Sequence, residues 1–212
     1  NILSLGYLAA GKGWNTKGKT LLKNPYAQFL KLEANLVKTW SLSAHTSLVG
    51  HVNVGAVWTY GNSEEAPYSE QFYVGGANSI RAFSIRGVGP GSYSNAGSAD
   101  VYNLGRTGDL KFVANLEYRP RLFGNLYGAV FLDAGNVWRM RDDGREGAKF
   151  EFKNVLKEMA LGTGVGLRYD LNFFMIRVDW GIGLHLPYKP GFYNFDNFKD
   201  SQSLHFAIGL PF

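Results

Sequence analysis

Long stretches of the chain alternate apolar residues with polar or small ones at a period of two. Between positions 172 and 186 the apolar positions are Phe174, Ile176, Val178, Trp180, Ile182, Leu184 and Leu186. The positions between them are polar, charged or small, and they include Arg177, Asp179 and Gly183. Because successive side chains of a strand point to opposite faces of a sheet, this period predicts a β-strand with one apolar and one polar face.

The same alternation recurs along the chain and predicts eight strands. They lie near residues 3–9, 30–40, 48–60, 109–122, 126–138, 158–171, 172–186 and 204–212. Long connections (11–25, 61–108, 139–157 and 187–202) alternate with short ones (41–44, 123–125 and the turn near 172). This order of long and short connections is typical of outer-membrane barrels, which have long loops at one end and tight turns at the other.

Two architectures have such strands: a soluble β-sandwich, which buries its apolar face, and a transmembrane barrel, which turns that face to lipid. The strands approach the ~10 residues that cross a membrane, and the polar face carries charges. Aromatic residues gather at strand ends, as in an interfacial girdle: Trp40, Trp58, Tyr60, Trp138 and Tyr169. We therefore predict an all-β, antiparallel transmembrane β-barrel. Eight strands are enough to close a small barrel and equally make up half of a barrel of about sixteen.

The composition narrows the function classes. The 212 residues contain no cysteine, which excludes a disulfide framework, a thiolate metal site and a cysteine nucleophile. The net charge of +5 suits anionic lipid headgroups as well as nucleic acid, but no nucleic-acid-binding signature occurs. No apolar stretch reaches the ~18 residues of a transmembrane helix. We expect a lipid partner and no nucleic acid.

The longest connection holds an arginine among many glycines. Residues 71–93 read QFYVGGANSIRAFSIRGVGPGSY, and Arg81 stands between Ile80 and Phe83. A structureless connection of this length argues against the strand assignment unless it has a function. We therefore expect the connection to have a function, and an arginine folded back into the structure would account for Arg81.

This segment resembles the conserved long loop of the BamA/TamA-type outer-membrane assembly barrels, the bacterial surface antigen family. In that family the loop lies inside the barrel and its core reads Val/Ile-Arg-Gly-Phe/Tyr, which here is Ile80-Arg81-Ala82-Phe83. Further resemblances follow in order: NLEYRP, then VFLDAGNVW with Phe131, Asp133 and Gly135, then GTGVGLRYDLNFFMIRVDWG, then LHFAIGLPF. The last resembles the C-terminal β-signal, which implies roles for Phe206, Ile208, Leu210 and Phe212.

The resemblance implies that Arg81 is held inside the barrel by Glu117 and Asp133. The alternation independently places both carboxylates on the polar face. A guanidinium has five donors in a fixed fork and suits two carboxylates at once. Gly75 and Gly76 are expected to let the loop turn tightly. Ala82 replaces the family's glycine, and it is strained if that position needs a positive φ.

No catalytic constellation follows from the sequence. Gly162, Gly164 and Gly166 lie inside a predicted strand rather than at a strand-to-helix turn, so they do not form a phosphate-binding loop and instead give room in the lumen. The four histidines lack metal-ligand spacing, and there is no Gly-x-Ser-x-Gly motif. We predict a protein with no enzymatic activity, no metal and no cofactor.

The resemblance implies an assembly and insertion factor of the bacterial outer membrane that pairs its barrel edge with an incoming strand and perturbs the membrane. The implied partners are the outer-membrane lipid bilayer and lipopolysaccharide, unfolded outer-membrane protein clients, and periplasmic or lipoprotein accessory subunits. Residues 1–212 are expected to be a C-terminal barrel region preceded by periplasmic domains. Three alternatives stay open: a dedicated secretion pore of the same superfamily, the anchoring barrel of a surface enzyme, and a plain porin.

Overall fold

One antiparallel sheet dominates the computed structural model, which describes residues 17–18, 20–21, 24–94 and 105–212. After a two-residue hairpin, β1 (Thr20–Leu21) and β2 (Asn24–Pro25), seven strands pair in chain order. They are β3 (Phe29–Ser43), β4 (Thr46–Thr59), β5 (Leu110–Phe123), β6 (Leu126–Trp138), β7 (Ala160–Asp170), β8 (Met175–His185) and β9 (Gln202–Ile208). The all-β antiparallel prediction is confirmed. The strand expected near residues 3–9 lies outside the described residues.

The two faces of the sheet have opposite character, and their burial is the reverse of a soluble protein. Apolar side chains in the middle of strands are exposed, as with Leu116 (44%) and Val130 (52%). Carboxylates on the other face are fully buried, as with Glu117 and Asp133 (both 0%). A sheet that exposes its apolar face and buries its charges fits a barrel wall in lipid, and the charged face is called the inner face below.

Tight turns join the strands at one end of the sheet. The turns after β3, β5 and β7 span residues 44–45, 124–125 and 171–174, and positive φ angles at Gly124 (50°) and Asn172 (70°) reverse the chain. The long connections, 60–109, 139–159 and 186–201, join the strands at the other end, and their described residues include three short 3-10 helices. Within the described residues, no helix is long and apolar enough to cross a membrane.

The aromatic girdle prediction was wrong for Trp138. Trp40, Trp58 and Tyr169 are exposed at strand ends, but Trp138 is buried because the 139–159 connection folds over it. Its ring packs edge-on against Phe150, and its Nε1 donates to Glu158 at 2.6 Å. Burial raises the pKa of Glu158, although hydrogen bonds from Trp138 and Ser92 oppose the shift.

The described parts of the connection 60–109, residues 60–94 and 105–109, run back along the inner face and are together called the inward loop below. Its apolar residues Phe72, Val74, Ile80 and Val88 are almost fully buried and pack with inner-face residues such as Val113 and Val137. This packing forms the apolar core of the described chain. The inward loop is therefore a folded part of the structure, as the resemblance of its sequence to a loop inside the barrel implies.

Candidate functional site

Arg81 of the inward loop binds the Asp133 carboxylate with both its side chain and its backbone. Arg81 Nε donates to Oδ2 at 2.9 Å, Nη2 donates to Oδ1 at 2.8 Å, and the Arg81 backbone N donates to Oδ2 at 2.9 Å. Asn115 also donates to Asp133 Oδ1, at 2.7 Å, and to the carbonyl of Ser79, at 2.7 Å. One carboxylate on β6 thus fixes the position of the loop backbone and the direction of the guanidinium.

Glu117 of β5 receives the rest of the Arg81 fork. Arg81 Nη1 donates to Glu117 Oε2, and Arg119 Nε donates to Oε1 at 2.7 Å. Arg168 of β7 donates to the same carboxylate from Nε and Nη2, both at 3.2 Å. A fully buried carboxylate with three guanidinium neighbours is held ionised by its partners, which offset its loss of hydration.

The ion pairs continue across the inner face to β8. Arg168 Nη2 lies 2.6 Å from Asp179 Oδ1, and Arg177 Nη1 lies 2.9 Å from Asp179 Oδ2. Arg177 also donates to the carbonyl of Ala77 at 2.8 Å and to the side chain of Asn78. The luminal cluster defined by these contacts contains four arginines and three acids: Arg81, Arg119, Arg168, Arg177, Glu117, Asp133 and Asp179.

The Phe131–Asp133–Gly135 motif of β6 contacts the loop at each of its three positions. The Arg81 guanidinium lies 3.6 Å from the centre of the Phe131 ring, a cation–π contact that shields the cluster from one side. Gly135 faces Ile80, and a Cβ there would lie 3.1 Å from Ile80 Cδ1 and 2.6 Å from the carbonyl oxygen of Phe112. In this motif Phe131 and Asp133 thus contact Arg81, and Gly135 leaves room for the side chain of Ile80.

Gly75 and Gly76 make the tight turn that the sequence predicts. Their φ angles are 102° and 91°, and a Cβ on Gly75 would lie 2.1 Å from the carbonyl oxygen of Ser84. Ala82 is different: among the described residues the non-glycine positions with positive φ are Arg86 and Asn172. The alanine at the position of the family glycine is therefore not strained by its backbone.

Glycines on β7 and β8 let the loop backbone approach the sheet. One row of paired residues crosses four strands. Its members on β5 and β6 have large side chains and those on β7 and β8 are glycines: Glu117, Phe131, Gly164 and Gly181. A Cβ on Gly181 would lie 2.4 Å from the Arg81 carbonyl oxygen, and one on Gly162 would lie 2.4 Å from Ala82 Cβ. The loop therefore lies against β7 and β8 while the Arg81 side chain reaches back to β5 and β6.

The C-terminal motif divides between the two faces. Phe206, Ile208 and Leu210 are exposed at 70%, 68% and 50%. The alternation of the sequence continues to Phe212, but this residue does not share the outer face. Gly209 has a φ of 91° and ends the strand, and the Phe212 ring stacks on His51 of the inner face with ring centroids 4.7 Å apart. Phe212 also lies 5.6 Å from the guanidinium carbons of Arg81 and Arg119.

Several members of the luminal cluster were not singled out as site residues from the sequence. The alternation places Arg168, Arg177 and Asp179 on the inner face, and the same-face acid nearest to Arg168 along the chain is Asp170. In the structure Arg168 binds Glu117 and Asp179 instead. In the part of the chain that the structure describes, no group of three or more His, Asp or Glu residues is placed to hold a metal ion.

Comparisons with known proteins agree with this geometry. A family model described as the Omp85 superfamily domain matches residues 11–212. Over 141 residues the chain is 28% identical to the sorting and assembly machinery component 50 homolog A of Xenopus laevis, which corresponds to 65% of this chain and 28% of that protein.

Two solved structures share the fold. BamA from Haemophilus ducreyi lacking POTRA domains 1–3 aligns with a TM-score of 0.61 and 17% identity over 85% of this chain and 35% of that one. CdiB from Acinetobacter baumannii aligns with a TM-score of 0.51 and 18% identity over 87% of this chain and 27% of that one. The chain thus spans about a third or less of the length of these relatives.

Proposed function

This chain belongs to the Omp85 superfamily, and from that premise we propose that it is the C-terminal barrel region of an outer-membrane protein assembly and insertion factor of a bacterium. The observation that carries the proposal is the inward loop, whose Arg81 is bound by Asp133 and Glu117 on two adjacent strands. A plain porin has no need for a loop fixed in this way, because an open aqueous channel is its purpose.

Strand addition is the mechanism that we propose for insertion. Within the described sheet, β9 pairs with β8 on one side and has no strand on the other. An edge strand presents unpaired backbone N–H and C=O groups, with which an extended segment pairs as a further strand. The exposed outer side chains Leu204, Phe206 and Ile208 would then continue as one lipid-facing surface with the incoming strand.

We further propose the partners of this region. Its exposed apolar face fits the hydrocarbon core of the outer membrane, and its clients are unfolded outer-membrane proteins with terminal strands to pair. Periplasmic domains outside this sequence, and accessory lipoproteins, would deliver the clients. Lipopolysaccharide would surround the end of the barrel that carries the long connections.

The test replaces Arg81 with Glu in the full-length protein at its native locus and quantifies the outer-membrane proteome. We expect a broad fall in many barrel proteins while the variant itself remains in the membrane, because a buried like-charge contact with Glu117 and Asp133 expels the loop. Lys153→Glu is the matched control, since it makes the same charge change on a side chain that is 77% exposed.

The other outcomes separate the alternatives. Loss of one exported protein alone would identify a dedicated secretion pore of the same superfamily, and loss of one surface activity would identify the anchoring barrel of an enzyme. An unchanged proteome in cells that contain the folded Arg81→Glu variant would contradict the proposed role of the loop.

A further inference from the structure

The connection 186–201 touches the inward loop at a point away from the luminal cluster. The ring of Phe195 lies 6.2 Å from the ring of Phe83, the aromatic residue of the inward-loop motif, with a 30° angle between the two planes. Phe195 packs against the buried apolar core, and Leu186, at the start of this connection, belongs to that core. Two different connections therefore meet through an aromatic contact.

A glycine of β8 forms the seat of Phe195. A Cβ on Gly183 would lie 2.3 Å from Cζ of the Phe195 ring, so any other residue would displace the ring. Gly183 pairs across the sheet with Gly162, and a Cβ there would lie 2.4 Å from Ala82 Cβ. Two paired glycines thus hold Phe195 and the inward loop side by side on the inner face.

Polar contacts fix the connection that carries Phe195. The Asn194 amide nitrogen donates to the carbonyls of Leu186, at 2.9 Å, and Lys189, at 2.7 Å, while its oxygen accepts from the Leu186 backbone N at 2.8 Å. His185 lies 2.9 Å from the carbonyl of Gly191. The residue before Phe195 is therefore anchored to the end of β8, which limits the positions open to the ring.

The same connection leads directly into the edge strand. A 3-10 helix at Phe198–Ser201 follows Phe195, and β9 begins at Gln202. Only six residues separate Phe195 from β9, and they span at most ~20 Å when fully extended. A displacement of β9 away from β8 would therefore pull on Phe195. Removal of Phe195 from its seat would uncover Phe83, Leu186 and the loop backbone at Ala82.

We propose that Phe195 is a positioning residue that couples the edge strand β9 to the inward loop. When Phe195 is seated on Gly183 against Phe83, the loop and the edge strand are held together. When an incoming strand displaces β9, the ring leaves its seat and the inward loop loosens. This inference rests on the proposed function, because it assigns the edge strand as the place where clients pair.

The test measures amide hydrogen exchange in the full-length protein in lipid nanodiscs, so its outcome does not depend on client assembly. In Phe195→Ala we expect exchange to rise about tenfold in residues 76–87 and in 203–208, since both segments lose their shared contact. Phe198→Ala is the matched control, because Phe198 lies in the same connection with 54% of its surface exposed. It should change neither segment.

Two further variants distinguish coupling from local filling. Gly183→Val keeps Phe195 but fills its seat, and we expect it to reproduce the Phe195→Ala pattern. Phe195→Leu keeps an apolar side chain of similar reach, and we expect it to restore most of the protection. Faster exchange confined to residues 186–201 in both disruptive variants would overturn the proposal, even if Arg81→Glu behaves as the proposed function requires.

Discussion

At the scale of single residues, the structure rests on charged groups that have little contact with water. Asp133, Glu117 and Asp179 are all fully buried, and each is bound by at least one arginine. Breaking such a pair by removing one partner costs about 3–5 kcal/mol, because the remaining charge is left without compensation. The luminal cluster therefore determines whether the inward loop is held.

Glu158 gives a prediction on pH at the same scale. Its pKa is raised, so the folded state binds the proton more tightly than the unfolded state. Its contribution to stability is fully present below the ordinary pKa of 4.5 and is lost as the pH rises through the raised value. We expect Glu158→Gln to remove this loss while Gln still accepts from Trp138, so the variant should be more stable than the parent protein at neutral pH.

The measurement is the heat-dependent gel mobility of the full-length barrel at pH 5 and pH 8. Glu158→Gln should narrow the difference between the two melting temperatures. Glu146→Gln, an exposed change in the same connection, should leave it as in the parent protein. A wider difference in Glu158→Gln would contradict the assigned direction of the pKa shift.

At the scale of elements, each strand has an inner and an outer face. On the outer face, the free-energy cost of a charged side chain depends on its position along the strand. Leu116 lies in the middle of β5 and Leu122 lies near its end, and both are about half exposed. A cation at the bilayer midplane costs about 2–4 kcal/mol, while one near the interface costs about 0–1 kcal/mol. The position along the strand therefore decides the effect of the same substitution.

We expect Leu116→Arg to lower the free energy of unfolding of the full-length protein in liposomes by about 2–4 kcal/mol, and Leu122→Arg by about 1 kcal/mol or less. Urea titration with both variants in the same lipid measures the difference. Equal losses in the two variants would show that β5 does not cross the membrane with Leu116 at its centre.

The strands could be predicted because side chains alternate between the two faces of a sheet. The polarity of every second residue therefore shows which face is apolar. The Arg81 contacts to Glu117 and Asp133 were also accessible, since the alternation places both acids on the inner face and the motifs resemble a known family. The partners of Arg168 could not be predicted, because the sequence shows only neighbours along one strand. Its actual partners, Glu117 and Asp179, come from other strands.

The alternation also gives the wrong face for two aromatic residues at the ends of strands, Trp138 and Phe212. Trp138 follows the outer-face parity but is covered by Phe150 and Glu158 of the next connection. Phe212 also follows that parity, yet the positive φ of Gly209 ends the strand and directs the ring to His51. Both departures occur at the ends of strands, where the sheet no longer determines the direction of the side chain.

At the scale of the whole molecule, the inward loop and the luminal cluster occupy the inner face of the sheet. Arg81 crosses from the loop to β5 and β6, and Arg177 binds the loop from β8. A barrel whose inner face is filled in this way offers little path for ions. We expect low ion conductance from the full-length protein in planar bilayers.

Arg81→Glu should raise that conductance, because the loop leaves its carboxylate partners and opens the lumen. Lys153→Glu should leave the conductance as in the parent protein, since this lysine lies on an exposed connection. Single-channel recording of the three proteins measures the effect. Equal conductance in all three would mean that something other than the Arg81 contacts closes the lumen.

The position of the inward loop also restricts the order in which the molecule forms. The loop joins β4 and β5, which pair directly with each other, yet its middle is bound by β6, β7 and β8. Once a ring of strands has closed, the loop can reach this position only through an open end of the ring. We therefore expect the loop to settle on the inner face as β6, β7 and β8 pair, before the ring closes around it.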